Sequence, residues 1–466
     1  MARNVFISFL GTNNYLQTRY QWENEEPSKP VRFIQEAILS RIAKDWTGND
    51  RIFIFYTKGD QTKGDQGSYQ LNWLNNGHTR FNEKEVKDQE NEKIGLQQRL
   101  NELGLKAKIE GTFISEGFSE DEVWDMFKTV YGLLQNDDKI YFDITHAFRS
   151  IPLFASSLFN FAQYTKGVEI KSVNYGAFEK LGPAYKVKNM PIEERIAPIV
   201  DMTNIVRLQK LTETATSITE FGRSPKKVSE NLKKLTGEED YNTINSIINA
   251  ITELDNFIQT NRRSGIRAGS YLTKLSEVKR KYNSAQTIRE PVREIIKKIN
   301  ERIEEFGFNI NNPDANIVAA IQWTQHFDML TQAYTLAREY VLTILQNKYS
   351  YLNPFHSEKE DENERDFREF ISKVLTIEDK KIKNNELYED FKKYPYQFFS
   401  LLHEDIIQEL RERNAYPRLA EYRNIINHGK GNAQNDKKNG STSFNKLKET
   451  FDKAYKKCRA IIIEYA

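Results

Sequence analysis

The stretch KIYFDITHAFRSIP, Lys139 to Pro152, decides how this chain is read. Its first residues are apolar and rich in strand formers. They are followed at once by SIPLFASSLFNFAQYT, Ser150 to Thr165, which has helical spacing, with Ser150 placed to cap the helix and Pro152 in its first turn. A strand that runs directly into a helix brings Asp143, Thr145, His146, Arg149 and Ser150 to one junction. Free backbone amides and the positive dipole end of a helix favour an anion there, and Arg149 adds a guanidinium suited to phosphate. A nucleotide with several phosphates is the natural guest. The same residues also admit a structural reading, with Asp143 hydrogen-bonded inside a sheet, Ser150 a cap and Arg149 facing water.

The pattern repeats on either side. NVFISFLG (4–11), RIFIFYT (51–57), KAKIEGTFI (106–114) and VEIKSVNYG (168–176) read as strands. Between them, VRFIQEAILSRIAKDW (31–46) and SEDEVWDMFKTVYGLLQ (119–135) read as amphipathic helices. Alternation of this kind predicts an α/β domain with a largely parallel sheet. The polar, glycine-rich segment Gly59 to Arg80 is expected to be a long flexible loop over the edge or mouth of that sheet.

In such sheets ligands bind beyond the carboxyl ends of the strands, where strand order reverses. The first strand ends in LGTNNY, which offers Gly11 for close backbone approach and Thr12, Asn13, Asn14 and Tyr15 for polar or ring contacts. It is neither a G-x-G-x-x-G dinucleotide fingerprint nor a P-loop, since no G-K-[ST] follows. No G-x-S-x-G surrounds Ser150, which argues against a serine hydrolase, and His146 has no second metal ligand at useful spacing.

After about Pro191 the strand pattern stops and helical spacing runs to the end. IVAAIQWTQHFDMLTQAYTLAREYVLTILQ (317–346) reads as one long helix, and QFFSLLHEDIIQELRER (397–413) as another. The acidic SEKEDENERD (357–366) and the loop GKGNAQNDKKNGSTS (429–443) read as breakers between helices. The expected domains are therefore 1–190, α/β, and 191–466, all-helical with a helical insertion around 225–310.

The chain has 466 residues, too many for one ordinary core, and its 68 basic and 66 acidic residues nearly cancel. Two stretches are locally basic: Phe257 to Arg302 has twelve Lys/Arg against four Glu, and Lys430 to Arg459 has nine against three acidic residues. Such runs serve either as solvated helix faces or as attractors of nucleic-acid phosphate. No apolar run approaches the roughly 20 residues of a membrane span, and the N-terminal apolar run reads as a strand rather than a secretory signal. A single cysteine, Cys458, excludes an internal disulfide and any multi-cysteine zinc site, which fits a reducing cytoplasm.

Near the C-terminus stands EYRNIINHGKGN, in which Arg423 and His428 are separated by four residues. His428 could simply cap a helix that Gly429 ends. Together, FLGTNNY, DITHAFRSIP and YRNIINHG, in that order, resemble the CRISPR-associated Rossmann fold (CARF) to HEPN ribonucleases, accessory effectors of type III CRISPR systems. The resemblance takes in essentially the whole chain, although a glycine is common where Ala147 stands.

The resemblance implies a Rossmann-like CARF domain followed by an all-α HEPN domain, in a homodimer or a larger oligomer built from it. It further implies that a cyclic oligoadenylate binds at Gly11 to Tyr15 and Asp143 to Ser150, with Tyr175 and Gly176 as weaker candidates. Binding would switch on metal-independent cleavage of single-stranded RNA, with no cofactor and no membrane. Tetra-adenylate is preferred over hexa-adenylate as the ring. Arg423, Asn424 and His428 are the implied catalytic residues. On a helix Arg423 and His428 lie about 140° apart, so one chain makes a poor two-residue site, whereas two paired helices would converge. Two further readings stay open: a ligand-sensing module without ribonuclease activity, and a CARF domain that degrades its own ligand.

Overall fold

The computed structural model describes residues 2–59, 66–74, 94–146, 151–224, 231–284, 290–356, 359–428 and 444–465. Two compact units divide between Arg207 and Leu208. The first is built on a seven-stranded sheet: β1 (Asn4–Phe9), β2 (Arg19–Trp22), β3 (Arg51–Tyr56), β4 (Lys108–Phe113), β5 (Lys139–Asp143), β6 (Glu169–Gly176) and β7 (Ile196–Asp201). Their order across the sheet is β2-β7-β6-β5-β1-β3-β4. The five neighbouring strands β6, β5, β1, β3 and β4 are parallel, β7 runs antiparallel to β6, and β2 is parallel to β7. The sequence-predicted α/β class holds.

Side chains of β1 alternate between two apolar layers, as the period of two requires. Val5, Ile7 and Phe9 join Met126 of α3 (Glu120–Leu133) and Leu158 of α4 (Ile151–Lys166), which follow α1 (Ile34–Ile42) and α2 (Leu96–Glu102) in the chain. Phe6 and Leu10 join Ile34 and Ile38 of α1 and Leu100 of α2 on the other face. Both faces are covered, which is why the central strands read as nearly continuous apolar runs.

Two expectations are corrected here. The strand pattern does not stop at Pro191: Ile196–Asp201 pairs with β6 and β2, so the first unit extends past the expected boundary at 190. The segment Gly59 to Arg80 is not wholly loop. Residues 60–65 and 75–93 lie outside the described residues, but Tyr69–Leu74 forms a short helical turn. That turn is anchored because Trp73 is 4% exposed and its ring lies 5.3 Å from that of Tyr56. Gly111 on β4 makes room for it, since a Cβ there would come within 2.7 Å of the indole.

The second unit is helical, as expected, with no strand among its described residues. Its longer helices, after α5 (Thr203–Phe221), are α6 (Asn231–Gln259), α7 (Ser270–Ser284), α8 (Glu290–Glu305), α9 (Pro313–His326), α10 (Leu330–Lys348), α11 (Glu360–Thr376), α12 (Pro395–Leu402), α13 (Asp405–Glu412), α14 (Tyr416–His428) and α15 (Phe444–Tyr465). The single helix expected over 317–346 is two, broken at Phe327–Met329, where Asp328 takes a positive φ of 56°. The stretch 397–413 likewise divides into α12 and α13. The acidic run is not wholly a breaker: from Glu360 onward it forms the start of α11, where carboxylates suit the positive end of the dipole. The loop 429–443 lies outside the described residues.

Buried residues of α6 to α8, such as Ile251, Leu275 and Ile299, share one apolar core with those of α9 to α15. Cys458 is buried in this core, and burial pushes its thiol up to about 12.

Replacing Trp73 by Ala is expected to destabilise the α/β unit by about 3–5 kcal/mol, the range for a truncated core aromatic. Urea unfolding checks this: an unchanged midpoint would show that the 66–74 segment is not part of the core.

Candidate functional site

From β1 the chain goes outward to β3 and β4, then returns to place β5 and β6 on the other side of β1. The order reverses between β1 and β5, and there the segments following the two strands part. A cleft of about 230 Å³ lies at this point. Gly11, Thr12, Asn13 and Tyr15 line it from the β1 side, and Thr145 and His146 from the β5 side. Its apolar walls include Phe9, Phe55 and Ile114.

Asp143 stands behind the cleft rather than in its wall. It is 1% exposed, and both carboxylate oxygens are used. Ser8 donates its hydroxyl to Oδ2 (2.7 Å), while Thr145 donates its backbone amide (3.0 Å) and hydroxyl (2.6 Å) to Oδ1. Ser8 lies opposite Asp143 in the β1–β5 register and accepts from Gln35 of α1 (2.9 Å), and Thr145 accepts from the amide of Gly176 (2.8 Å). Burial raises the carboxyl's pKa, and the bonds from Thr145 and Ser8 work against that rise. Asp143 therefore binds strands, helix and turn together. Gly176 serves the same purpose, because a Cβ there would lie 2.0 Å from Ile34. Tyr175 is turned to another task and donates to Glu179.

The β1 lip is held from two directions. Asn72, fully buried on the Tyr69–Leu74 turn, donates to the carbonyls of Gly11 (2.8 Å) and Asn13 (3.0 Å). Arg32, also fully buried, donates to the side chain of Asn14 (3.3 Å). Gly11 is needed for its own loop, since a Cβ would come within 2.7 Å of the Tyr15 hydroxyl. Sequence reading missed Asn72, Arg32, Ser8 and Gln35.

Tyr15 and His146 face each other, with ring centroids 4.0 Å apart. Burial raises the Tyr15 pKa and lowers that of His146 to about 3, so both rings are neutral near pH 7. The Nε2 of His146 is buried and has no hydrogen-bond partner among the described residues. A neutral aromatic pair with an unused ring nitrogen, beside Thr12, Asn13 and Thr145, offers stacking and hydrogen bonding to a flat heterocycle. Arg149 and Ser150 lie outside the described residues.

In the helical unit, Arg423 and Asn424 lie on α14. Tyr416, Leu419, Ala420 and Tyr422 turn into the core, where the ring of Tyr422 lies parallel to that of Tyr334, 6.3 Å away. Arg418, Glu421, Asn424 and Asn427 form the exposed stripe at three-residue spacing. Arg423, between the two faces, donates from Nη1 to Asn424 Oδ1 (3.1 Å), and its Nε is buried without a partner among the described residues. His428 is the last residue of the helix.

Among the described residues no group of three or more His, Cys, Asp or Glu could hold a metal ion, and no helix is long and apolar enough to cross a membrane. No family model matches the chain. It is 28% identical over 175 residues to the CRISPR-associated protein MJ1674 of Methanocaldococcus jannaschii, a match covering 35% of this chain and 25% of that protein. The match thus spans about a quarter of the relative's own length. A whole-chain alignment with Enterococcus italicus Csm6 bound to cyclic hexa-2′-fluoro-hexa-dAMP covers 100% of this chain and 94% of that one, at 11% identity and a TM-score of 0.41. A likeness that low bears no argument. The sequence relative is CRISPR-associated by name, as are the proteins that the motifs resemble.

Because His146 stays neutral in the fold down to about pH 3, while the unfolded chain takes up a proton below about 6.5, stability should fall with pH across that interval. His146→Gln is expected to flatten part of the decline. Melting temperatures of both proteins at pH 7.5 and 5.0 test this, and equal declines would refute the buried neutral ring.

Proposed function

We propose that this chain is a cyclic-oligoadenylate-activated endoribonuclease of type III CRISPR defence, acting on single-stranded RNA as a homodimer. The observation that carries the reading is the cleft at the β1–β5 switch point, where both N-terminal motifs meet around a neutral Tyr15–His146 pair. The CRISPR-associated relative adds support. Thr12, Asn13, Tyr15, Thr145 and His146 contact the ligand, with Gly11 shaping the lip and Asn14 on the same loop, and Arg149 and Ser150 of the same sequence motif are further ligand contacts. Asp143 acts through Ser8 and Thr145 rather than by touch.

In the helical unit the RNA 2′-hydroxyl attacks its adjacent phosphate, leaving a 2′,3′-cyclic phosphate and a 5′-hydroxyl. His428 moves protons, its ordinary pKa near 6.5 suiting either direction. Arg423, whose Nε has no partner within the described chain, stabilises the added negative charge of the transition state. Asn424, bonded to Arg423, fixes the guanidinium. Pairing of two α14 helices across a dimer axis brings both arginines and both histidines into one pocket. The reaction needs no metal, and DNA, lacking the 2′-hydroxyl, is not cut.

Cleavage of a fluorescent RNA, assayed with cyclic adenylates of three to six units and EDTA present, tests the activity. Arg423→Ala and His428→Ala are each expected to lower cleavage by at least about 10²-fold, as for loss of a transition-state or proton-transfer group, with oligoadenylate affinity unchanged. Intact RNA under every ring would favour the sensing module, and linear products from the ring alone would favour ligand degradation.

A further inference from the structure

The basic segment NRRSGIRAG does not present all its charge to solvent. Arg263, at the start of the short helix Arg263–Ala268, is half-buried and points its guanidinium at the hydroxyl of Thr343 on α10. The same hydroxyl accepts from Arg368 of α11 (3.1 Å) and itself donates to the carbonyl of Glu339 (2.7 Å). Two guanidinium groups thus converge on one neutral oxygen.

A third lies next to them. Arg338 and Arg368 both pair with the carboxylate of Glu339, and Arg338 also donates to Ser372 (3.1 Å), whose hydroxyl bonds Tyr416 at the start of α14 (2.9 Å). Burial works against the charge of Glu339, but Arg368 and Arg338 hold its carboxyl below the usual range. Arg263 has no carboxylate within ion-pair distance among the described residues. Burial, and then Arg368, lower its pKa, whereas Glu339 and the more weakly felt Glu364 raise it. Arg267, the next cation along, is matched by Asp314 at 3.0 Å. Three arginines against Glu339 and Glu364 leave one positive charge over, in a place where water screens it poorly.

Partly buried charge is costly unless paired, and the planar guanidinium fork matches a phosphate better than any other side chain does. We propose that Arg263, Arg338 and Arg368 form a receiving site for a phosphate-type oxyanion, either a backbone phosphate of RNA or free inorganic phosphate. The site belongs to the helical unit and is built on residues other than Arg423, Asn424 and His428, so its occupancy can be measured whether or not RNA is cleaved.

The test uses the full chain with Arg263→Gln, which removes the cation bonded to the neutral Thr343 hydroxyl, and Arg263→Lys, which keeps the charge. Melting temperature is followed in potassium phosphate against potassium chloride at matched ionic strength. Affinity for an all-2′-deoxy oligonucleotide and for RNA of the same sequence with blocked 2′ positions is followed against salt. The expected result is a phosphate-specific stabilisation that Arg263→Gln loses and Arg263→Lys partly keeps.

Should the occupant be an RNA phosphate, Arg263→Gln also weakens RNA binding by about tenfold and lowers the salt slope by about one. A phosphate effect without a change in RNA affinity assigns the site to the free anion. The proposal is overturned if wild type responds to phosphate as it does to chloride and RNA affinity is the same in wild type and Arg263→Gln.

Discussion

The α/β unit depends on one buried carboxylate. Where two parallel strands part at a switch point, nothing in the ladder itself sets how far their ends open. Asp143 supplies that constraint by accepting from Ser8 on β1 and from the turn at Thr145. Through Ser8 it reaches Gln35 and α1, and through Thr145 it reaches the amide of Gly176 on β6. A carboxylate so deep is tolerable only because hydrogen-bond donors meet both oxygens. The cleft is thus an opening of fixed width, with side chains already oriented before any guest arrives.

The opposite lip is built by different means to the same end. A loop of three polar residues after β1 would wander by itself, but Asn72 engages two of its carbonyls and Arg32 engages Asn14. Both anchors are fully buried, so the order of the loop is tied to the packing of the α1 side of the sheet. Trp73 seats the turn that carries Asn72, which links an aromatic contact in the core to the position of backbone atoms at the mouth.

How much of this was legible follows from what each element presents in sequence. Strands β1, β3 and β5 announce themselves because both of their faces are covered. RYQW and IAPIVD do not: one has four residues of mixed polarity, and the other contains Pro198, which a strand tolerates only in special places. The break at Asp328 carries no glycine or proline, and aspartate is among the few residues that enter the left-handed region without great strain. Asp143 was visible as a junction residue, but periodicity cannot say whether a carboxylate faces a ligand or holds a sheet together. A serine inside the apolar run NVFISFLG was the available clue to its partner. Asn72 gave no such signal, because its anchoring is tertiary and its segment is polar.

The lone thiol offers an experimental handle of another kind. Cys458 is sealed within the helical core, and burial keeps it protonated far above neutrality, so a thiol reagent meets neither an accessible sulfur nor a nucleophilic one. Its modification rate is therefore governed by how often the helices around it separate, a clock for excursions of the folded chain. With no second cysteine to confuse the signal, a change in that rate on adding a small molecule would report whether events elsewhere tighten or loosen the bundle.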